Sequence, residues 1–319
     1  MPAVVGPTAS GKTALAIDLC HRLSGEVVSC DSMQVYRGMD IGTAKPTAEE
    51  QAAAPHHLID FLSPGTPYSA ADYARDAYGR VEEILSRGRT PVFCGGTGLY
   101  LEAARRGGEE NEEIPGATAV REALAAEAEE KGADALWTRL SEVDPAAAEA
   151  THKNNTRRVI RALEIFLTTG VTKTEWDRRT RARAPALHIQ PVMLTYPDRE
   201  VLYRRIDARV DDMLRQGLLE EARRLFEAGY LAPGTTAAQA IGYKELLPHL
   251  RGEISLEEAR DALCLSTRHY AKRQLTWFEK TEGLLRLPAT DAAGNMRPLS
   301  ELGEEAATLF LEEKKKACL

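Results

Sequence analysis

Residues 6–13 read GPTASGKT, and their flanks decide the fold. An apolar AVV at 3–5 leads in, and TALAIDLCHRL from Thr13 leads out with helical spacing. Strand, Gly-x-x-x-x-Gly-Lys-Thr loop and helix in that order make a phosphate cradle. Gly6 and Gly11 let the backbone turn so that successive N–H groups converge on an anion, Lys12 adds a charge, and Thr13 is placed to ligate Mg2+ at a helix N-terminus. Further out, EVVSCD at 26–31 and TPVFC at 90–94 read as strands. Between them, SAADYARDAYGRVEEILSRG reads as a helix capped by Ser69 and stopped by Gly88. The first hundred residues thus predict an α/β fold: a P-loop parallel sheet covered by helices.

From about residue 114 the pattern turns helical and charged, in AVREALAAEAEEKGADALWTRL and NNTRRVIRALEIFLTTG. A strand-like HIQPVMLTY at 188–196 then returns. The expected organisation is the first part of a catalytic domain at 1–113, an all-helical insertion at 114–184, and the rest of the catalytic domain with C-terminal helices at 185–319. DREVLYRRIDARVDDMLRQG, LLEEARRLFEAG and SLEEARDALCLSTRHYAKRQLTWFEK have helical apolar spacing, and the terminal EEKKKACL reads as a frayed end.

A chain of 319 residues accommodates about two domains. Its five cysteines are scattered, with no Cys-x-x-Cys spacing, so neither a disulfide framework nor a zinc site is expected. No signal peptide and no apolar run of about 20 residues is read, so the protein is expected in the cytoplasm, off the membrane. The formal charge of −7 argues weakly against a general nucleic-acid binder. Its distribution says more: glutamates crowd 109–130, whereas Arg157, Arg158, Arg161, Arg178, Arg179, Arg181 and Arg183 follow, so one face can be basic.

P-loop ATPases usually carry an apolar strand ending in an acid that holds magnesium. Here the candidate strands end in VFCGGTG and LTYPD, which favours a transferase over a nucleotide hydrolase. Asp31, at the carboxyl end of the second strand, is either a general base facing the phosphate loop or an N-cap or turn residue. In GGTGLY at 95–100 the glycines permit either close approach to a ligand or a tight turn, and the Thr97 hydroxyl can bond a phosphate or Asp31. His56 and His57 read as structural, since neighbouring strand side chains face opposite ways. Arg268, Lys272 and Arg273 with Tyr270, Trp277 and Phe278 suit RNA phosphates and stacked bases.

GPTASGKT, DSMQVYRGMDIGTAKP, HHLIDFLSP, GGTGLYLEA, NNTRRVIRALEIF, QAIGYKEL and KRQLTWF, in this order, resemble the bacterial tRNA dimethylallyltransferases, also called tRNA isopentenyltransferases. The resemblance runs from Gly6 to about Phe278. It implies transfer of a dimethylallyl group from dimethylallyl diphosphate to N6 of adenosine 37, beside the anticodon, in tRNAs reading codons that start with U. Gly6, Pro7, Thr8, Ala9, Ser10, Gly11, Lys12 and Thr13 would then bind the diphosphate, with Arg209 beside them and Mg2+ on Thr13, mostly through the diphosphate. Asp31 would be the base and Thr97 would sit at the reacting centre. Matching tRNA-contact segments are Asp31, Ser32, Met33 and Gln34; Arg157, Arg158, Val159, Ile160 and Arg161; and Gln239, Ala240, Ile241, Gly242, Tyr243 and Lys244. Lys272, Arg273, Gln274, Leu275, Thr276, Trp277, Phe278 and Glu279 form a fourth, and Arg121 and Thr97 match further tRNA contacts. The implied partners are the tRNA anticodon stem-loop and dimethylallyl diphosphate, with the enzyme a monomer. Two other classes remain open: a small-molecule P-loop kinase or adenylate isopentenyltransferase, and a non-catalytic RNA-binding protein that keeps the loop as a fold element.

Overall fold

The computed structural model describes residues 1–107, 116–182 and 184–317, with side chains except at 181 and 314–317. The acidic residues 109–113, Arg183 and Cys318 lie outside these described residues. The chain forms two compact units, Met1–Gly107 with Leu187–Leu319, and Gly108–Ala186.

The first unit begins β1 (Pro2–Val5), α1 (Lys12–Leu23), β2 (Gly25–Ser29), α2 (Ala48–Ala53), β3 (His56–His57), α3 (Ala70–Ser86), β4 (Thr90–Gly95) and α4 (Gly98–Arg106). The second unit holds α5 (Ala117–Lys131), α6 (Ala133–Val143), α7 (Pro145–Glu149), α8 (Thr156–Thr169) and α9 (Lys173–Ala182). The chain then returns to the first unit with β5 (Gln190–Thr195), α10 (Arg199–Arg215), α11 (Leu218–Glu227), α12 (Tyr243–Leu250), α13 (Leu256–Phe278), β6 (Leu285–Pro288) and α14 (Leu299–Ala317).

Among the described residues six strands form one sheet in the order β3-β2-β4-β1-β5-β6, and each of these pairings is parallel. Parallel strands are buried on both faces, which is why they read as continuous apolar runs. Successive side chains alternate between two cores. Val5, Val28 and Phe93 pack with Tyr73, Ala77 and Ile84 of α3, whereas Val4, Val27 and Val92 pack with Leu15 and Leu19 of α1. Ser69 caps α3 as expected: its side chain accepts from Asp72 N while Asp72 reaches back to the Ser69 amide.

The C-terminal segment departs from its sequence reading. Residues 285–288 add the edge strand β6 beside β5, and α14 runs through Ala317 instead of fraying from 312. Leu302, Ala306 and Phe310 of α14 are buried against the α1 face of the sheet, where each large apolar side chain contributes about 1.5–3 kcal/mol. The signal for β6, LLRL after a Gly, was too short to separate from a loop.

A third core joins α10–α13 to the segment after β2: Val210, Leu218, Ala222, Tyr243, Leu246 and Leu263 pack on Val35, Tyr36 and Met39. The second unit has its own core of Leu124, Leu136, Leu140, Val159 and Leu163, with Trp137 Nε1 donating to the carbonyls of Ala148 and Thr151 at 3.2 and 2.9 Å.

Candidate active site

β1 is the strand at which the sheet's connections reverse direction, since β2 and β4 lie on one side and β5 and β6 on the other. Ligands of open α/β sheets bind at the carboxyl ends of strands beside such a reversal. A cleft of about 690 Å³ lies there, lined by the loop from Thr8 to Thr13, Asp31, Ser32, Met33 and Gln34, Gly95 and Gly96, Arg205 and Arg209 of α10, and Tyr270, Arg273 and Gln274 of α13.

The phosphate loop is held from outside. Arg205 Nε donates to the Ala9 carbonyl at 2.9 Å and Tyr196 Oη to the Ser10 carbonyl at 2.8 Å. Ala9 has φ 61°, the left-handed region that side chains seldom adopt, so these contacts hold a strained turn. Gln274 bridges the loop to the β4 end: its Oε1 accepts from Thr8 N at 2.8 Å and its Nε2 donates to the Gly96 carbonyl at 3.0 Å. Lys12 Nζ donates to the Pro7 carbonyl at 2.6 Å, curled over the loop. Burial pulls the Lys12 ammonium down to about 8, with Arg209 acting the same way against the opposing pull of Cys94 and Asp31.

Asp31 forms a turn and also lines the cleft. Its Oδ1 accepts from Met33 N at 2.9 Å and Gln34 N at 3.3 Å, an Asx turn, while the residue lines the cleft. Burial raises the carboxyl above its ordinary value, against the two amides, Lys12 and Arg209. A carboxylate raised in this way is a stronger base than one in water.

Thr97 is engaged differently from its sequence reading. Its Oγ1 accepts from Ser32 N at 3.0 Å and donates to Ser32 Oγ at 3.3 Å. The hydroxyl thus ties the β4 end to the residue after Asp31. Tyr270, inside the cleft with the Arg273 guanidinium 5.6 Å from its ring centre, is a site residue that the motif carry-over left out. Its signal was the aromatic among the basic residues of that helix.

The glycines after β4 serve helix docking. A Cβ on Gly96 would lie 2.0 Å from Gln274 Nε2, and one on Gly98 2.1 Å from the Trp277 ring. Their neighbours are α13 side chains, so the close approach that they permit is between parts of the protein.

Of the expected tRNA contacts, Gln239, Ala240, Ile241 and Lys244 line the cleft, and Trp277 is 44% exposed. Tyr243, Phe278 and Val159 are corrected: all three are buried in apolar cores, where their side chains cannot meet RNA. Each lies in a helix whose register turns it inward while neighbours turn out. Gln274 is likewise buried, as the bridge already described. Arg268 is paired with Asp207. In the second unit, Arg157 and Arg158 are exposed. Arg121 grips the fully buried Glu164 with Nε and Nη2 at 2.8 and 3.0 Å, and Arg161 pairs with the same carboxylate. Those contacts hold Glu164 below the usual carboxylate range despite burial.

The histidines have structural partners. His57 Nε2 meets Glu26 Oε2 at 2.7 Å, and His56 Nδ1 meets the Ala54 carbonyl at 2.8 Å.

Two family models match the chain: "IPP transferase" over residues 34–281 and "Isopentenyl transferase" over residues 1–60. A tRNA dimethylallyltransferase of Geobacillus kaustophilus is 44% identical over 95% of both chains. One from Bacillus velezensis is 48% identical over 86% of each. Among solved structures, a tRNA isopentenylpyrophosphate transferase from Bacillus halodurans is similar with a TM-score of 0.70, at 42% identity over 99% of this chain and 98% of that one. A eukaryotic dimethylallyltransferase acting on tRNA reaches a TM-score of 0.77 at 31% identity, over 92% of this chain and 74% of that one. A phosphate loop that faces a desolvated carboxylate, in a chain so similar along its length to these enzymes, belongs to the tRNA dimethylallyltransferase family.

Proposed function

We propose that this prenyltransferase moves the dimethylallyl group of dimethylallyl diphosphate onto N6 of adenosine 37 in tRNAs reading codons that start with U. The observation that carries the mechanism is Asp31: a carboxylate raised by burial, in the same cleft as Lys12 and the phosphate loop. A carboxylate beside a bound polyphosphate is repelled unless it has a positive or acidic partner, and the N6–H of an attacking adenine is one.

In the reaction, the N6 lone pair attacks the allylic carbon, the carbon–oxygen bond breaks, and its electron pair leaves on diphosphate. Asp31 takes the N6 proton. The amides of residues 8–13 and Lys12 hold the diphosphate, and Arg205 and Arg209 line the same cleft. The adenine must leave its stack to reach a cleft at the strand ends. Ser32, Met33 and Gln34, with Gln239, Ala240, Ile241 and Lys244, line the same cleft and would meet the flipped nucleotide.

Mg2+ fits as a ligand of the diphosphate more than of the protein. Thr13 lines the cleft at the start of α1, and among the described residues no group of three or more His, Cys, Asp or Glu side chains could hold a metal ion. When bound through Thr13 and diphosphate oxygens, the ion would neutralise leaving-group charge.

The protein is read as a cytoplasmic monomer acting on the anticodon stem-loop. No helix among the described residues is long and apolar enough to cross a membrane. The test is nucleoside mass spectrometry of tRNA after incubation with dimethylallyl diphosphate. A gain of one dimethylallyl unit on adenosine 37 is expected; label appearing from ATP instead would move the assignment to a kinase. Asp31→Ala should slow single-turnover transfer by about 10²–10⁴-fold. A rate within twofold of wild type removes Asp31 from the role.

A further inference from the structure

Gly42, Thr43 and Ala44 line the same cleft as the phosphate loop, and a carboxylate from far along the chain holds the segment they belong to. Glu221 of α11 is 2% exposed and accepts four hydrogen bonds. Its Oε2 takes the amides of Asp40 and Ile41, both at 3.0 Å, and its Oε1 takes the Gly42 amide at 2.9 Å and the Tyr243 hydroxyl at 2.7 Å. The far end of this segment then holds Gln34, whose Nε2 donates to the carbonyls of Thr43 and Ala44 at 3.2 and 3.1 Å. Gln34 in turn takes the Ser29 hydroxyl on Oε1 at 3.3 Å and gives its own amide to Asp31 at 3.3 Å.

The contacts thus run without a break from Glu221 through three consecutive amides to residues 43 and 44, through the Gln34 side chain, and onto the carboxylate. Gln34 is gripped at both ends of its amide, so its backbone N–H is aimed. Of the two amides that seat Asp31, one therefore depends on a loop which Glu221 fixes from α11. We infer that Glu221 is a positioning residue for the transfer reaction: it sets the loop 39–44 and, through Gln34, the orientation of the Asp31 carboxylate. The inference rests on Asp31 being the base.

Glu221→Gln is a sharp probe because the amide keeps the size and removes one acceptor. Whichever way it turns, its NH2 group faces an N–H or O–H donor that had a lone pair to meet, so the loop must shift or lose a bond. The expected result is a fall of about tenfold in the single-turnover rate at saturating substrates, with KM for dimethylallyl diphosphate within about twofold, on a scale where full loss of a base costs about 10²–10⁴-fold. Gln34→Leu, which cuts the middle of the chain of contacts, should give a loss of similar size. The double variant should lose little more than either alone, since contacts in one network are not additive.

Losses that multiply in the double variant overturn the inference, as does a folded Glu221→Gln enzyme that transfers within twofold of wild type and only unfolds at lower temperature. If Glu221→Gln does not fold, Tyr243→Phe removes one of the four bonds and keeps the cycle available. It should lower the rate two- to threefold and be non-additive with Gln34→Leu; additivity again overturns the inference. Asp31→Asn, measured beside them, separates the two levels. A large loss there with an inert Glu221→Gln sinks the positioning role alone, whereas an inert Asp31→Asn sinks the assignment of the base and the positioning role together.

Discussion

One segment at the cleft takes its shape from its own residues, and another takes it from a residue far along the chain. Residues 6–13 form a phosphate loop whose type is set by their own glycines and by the helix that follows, and neighbours such as Arg205, Tyr196 and Gln274 only tighten it. Residues 39–45 carry no motif of that kind. Their shape comes from Glu221 and from Lys45, whose side chain is 5% exposed and whose ammonium pairs with Asp40 and Asp60 at 2.5 and 2.6 Å. A local segment tolerates loss of its outside supports better than its own residues. An assembled segment fails at its supports.

The largest effect that sharpens this contrast belongs to the loop's own Lys12. Burial lowers its value to about 8, so the ammonium is charged below that pH and loses its proton as pH rises through it. In the free enzyme, kcat/KM for dimethylallyl diphosphate should therefore fall above about pH 8, by about tenfold at pH 9, one unit of titration being a factor of ten. Lys12→Arg keeps its charge there and should flatten that limb even if it lowers the plateau. A wild-type profile flat to pH 9.5 would detach Lys12 from diphosphate binding.

A smaller effect tests the outside support. Gly96→Ala places a methyl 2.0 Å from Gln274 Nε2, whose amide cannot swing away without giving up both the Thr8 and Gly96 bonds. The variant should lose about 1–3 kcal/mol of stability, the usual cost of forcing atoms into a packed site. Its KM for dimethylallyl diphosphate should rise several-fold, because Thr8 is part of the phosphate loop. Chemical denaturation and steady-state kinetics check the two together; an unchanged KM at reduced stability would confine Gln274 to packing.

The same contrast explains how far the sequence could be read. Strands β1, β2, β4 and β5, with α1, α3 and the phosphate loop, were legible because each rests on local periodicity or a local cap: Ser69 with Asp72, or the paired valines that face two cores. Asp31 was legible as a residue at a strand end. What Thr97, Gly96 and Gly98 do was not, since their partners Ser32, Gln274 and Trp277 lie 65 to 179 positions away. Motif matching also carried whole segments at once, and so placed Val159, Tyr243 and Phe278 among RNA contacts when a helix face alternates between core and solvent. Glu221 had no sequence signal at all: an acidic residue in an amphipathic helix reads as a solvated one, and only the fold puts three amides against it.

The smallest effect belongs to the second unit, where α5 and α8 carry arginines of two kinds. Arg121 and Arg161 both engage the buried Glu164, so removing either takes away packing and a charge partner as well as any RNA contact. Arg157 and Arg158 are exposed, and substitution of Arg158 should act mainly on charge. Arg157→Ala and Arg158→Ala should each weaken tRNA binding a few-fold and lower the slope of log affinity against log salt by about one, as loss of a phosphate contact does. Affinity for dimethylallyl diphosphate should stay as in wild type for both, and the unfolding midpoint should stay so for Arg158→Ala. Arg121→Ala should shift that midpoint downward, because a fully buried carboxylate is left with Arg161 alone. Filter-binding across a salt series separates the pairs: an unchanged slope for Arg157→Ala and Arg158→Ala would remove this face of α8 from the tRNA interface, whatever Arg121→Ala does.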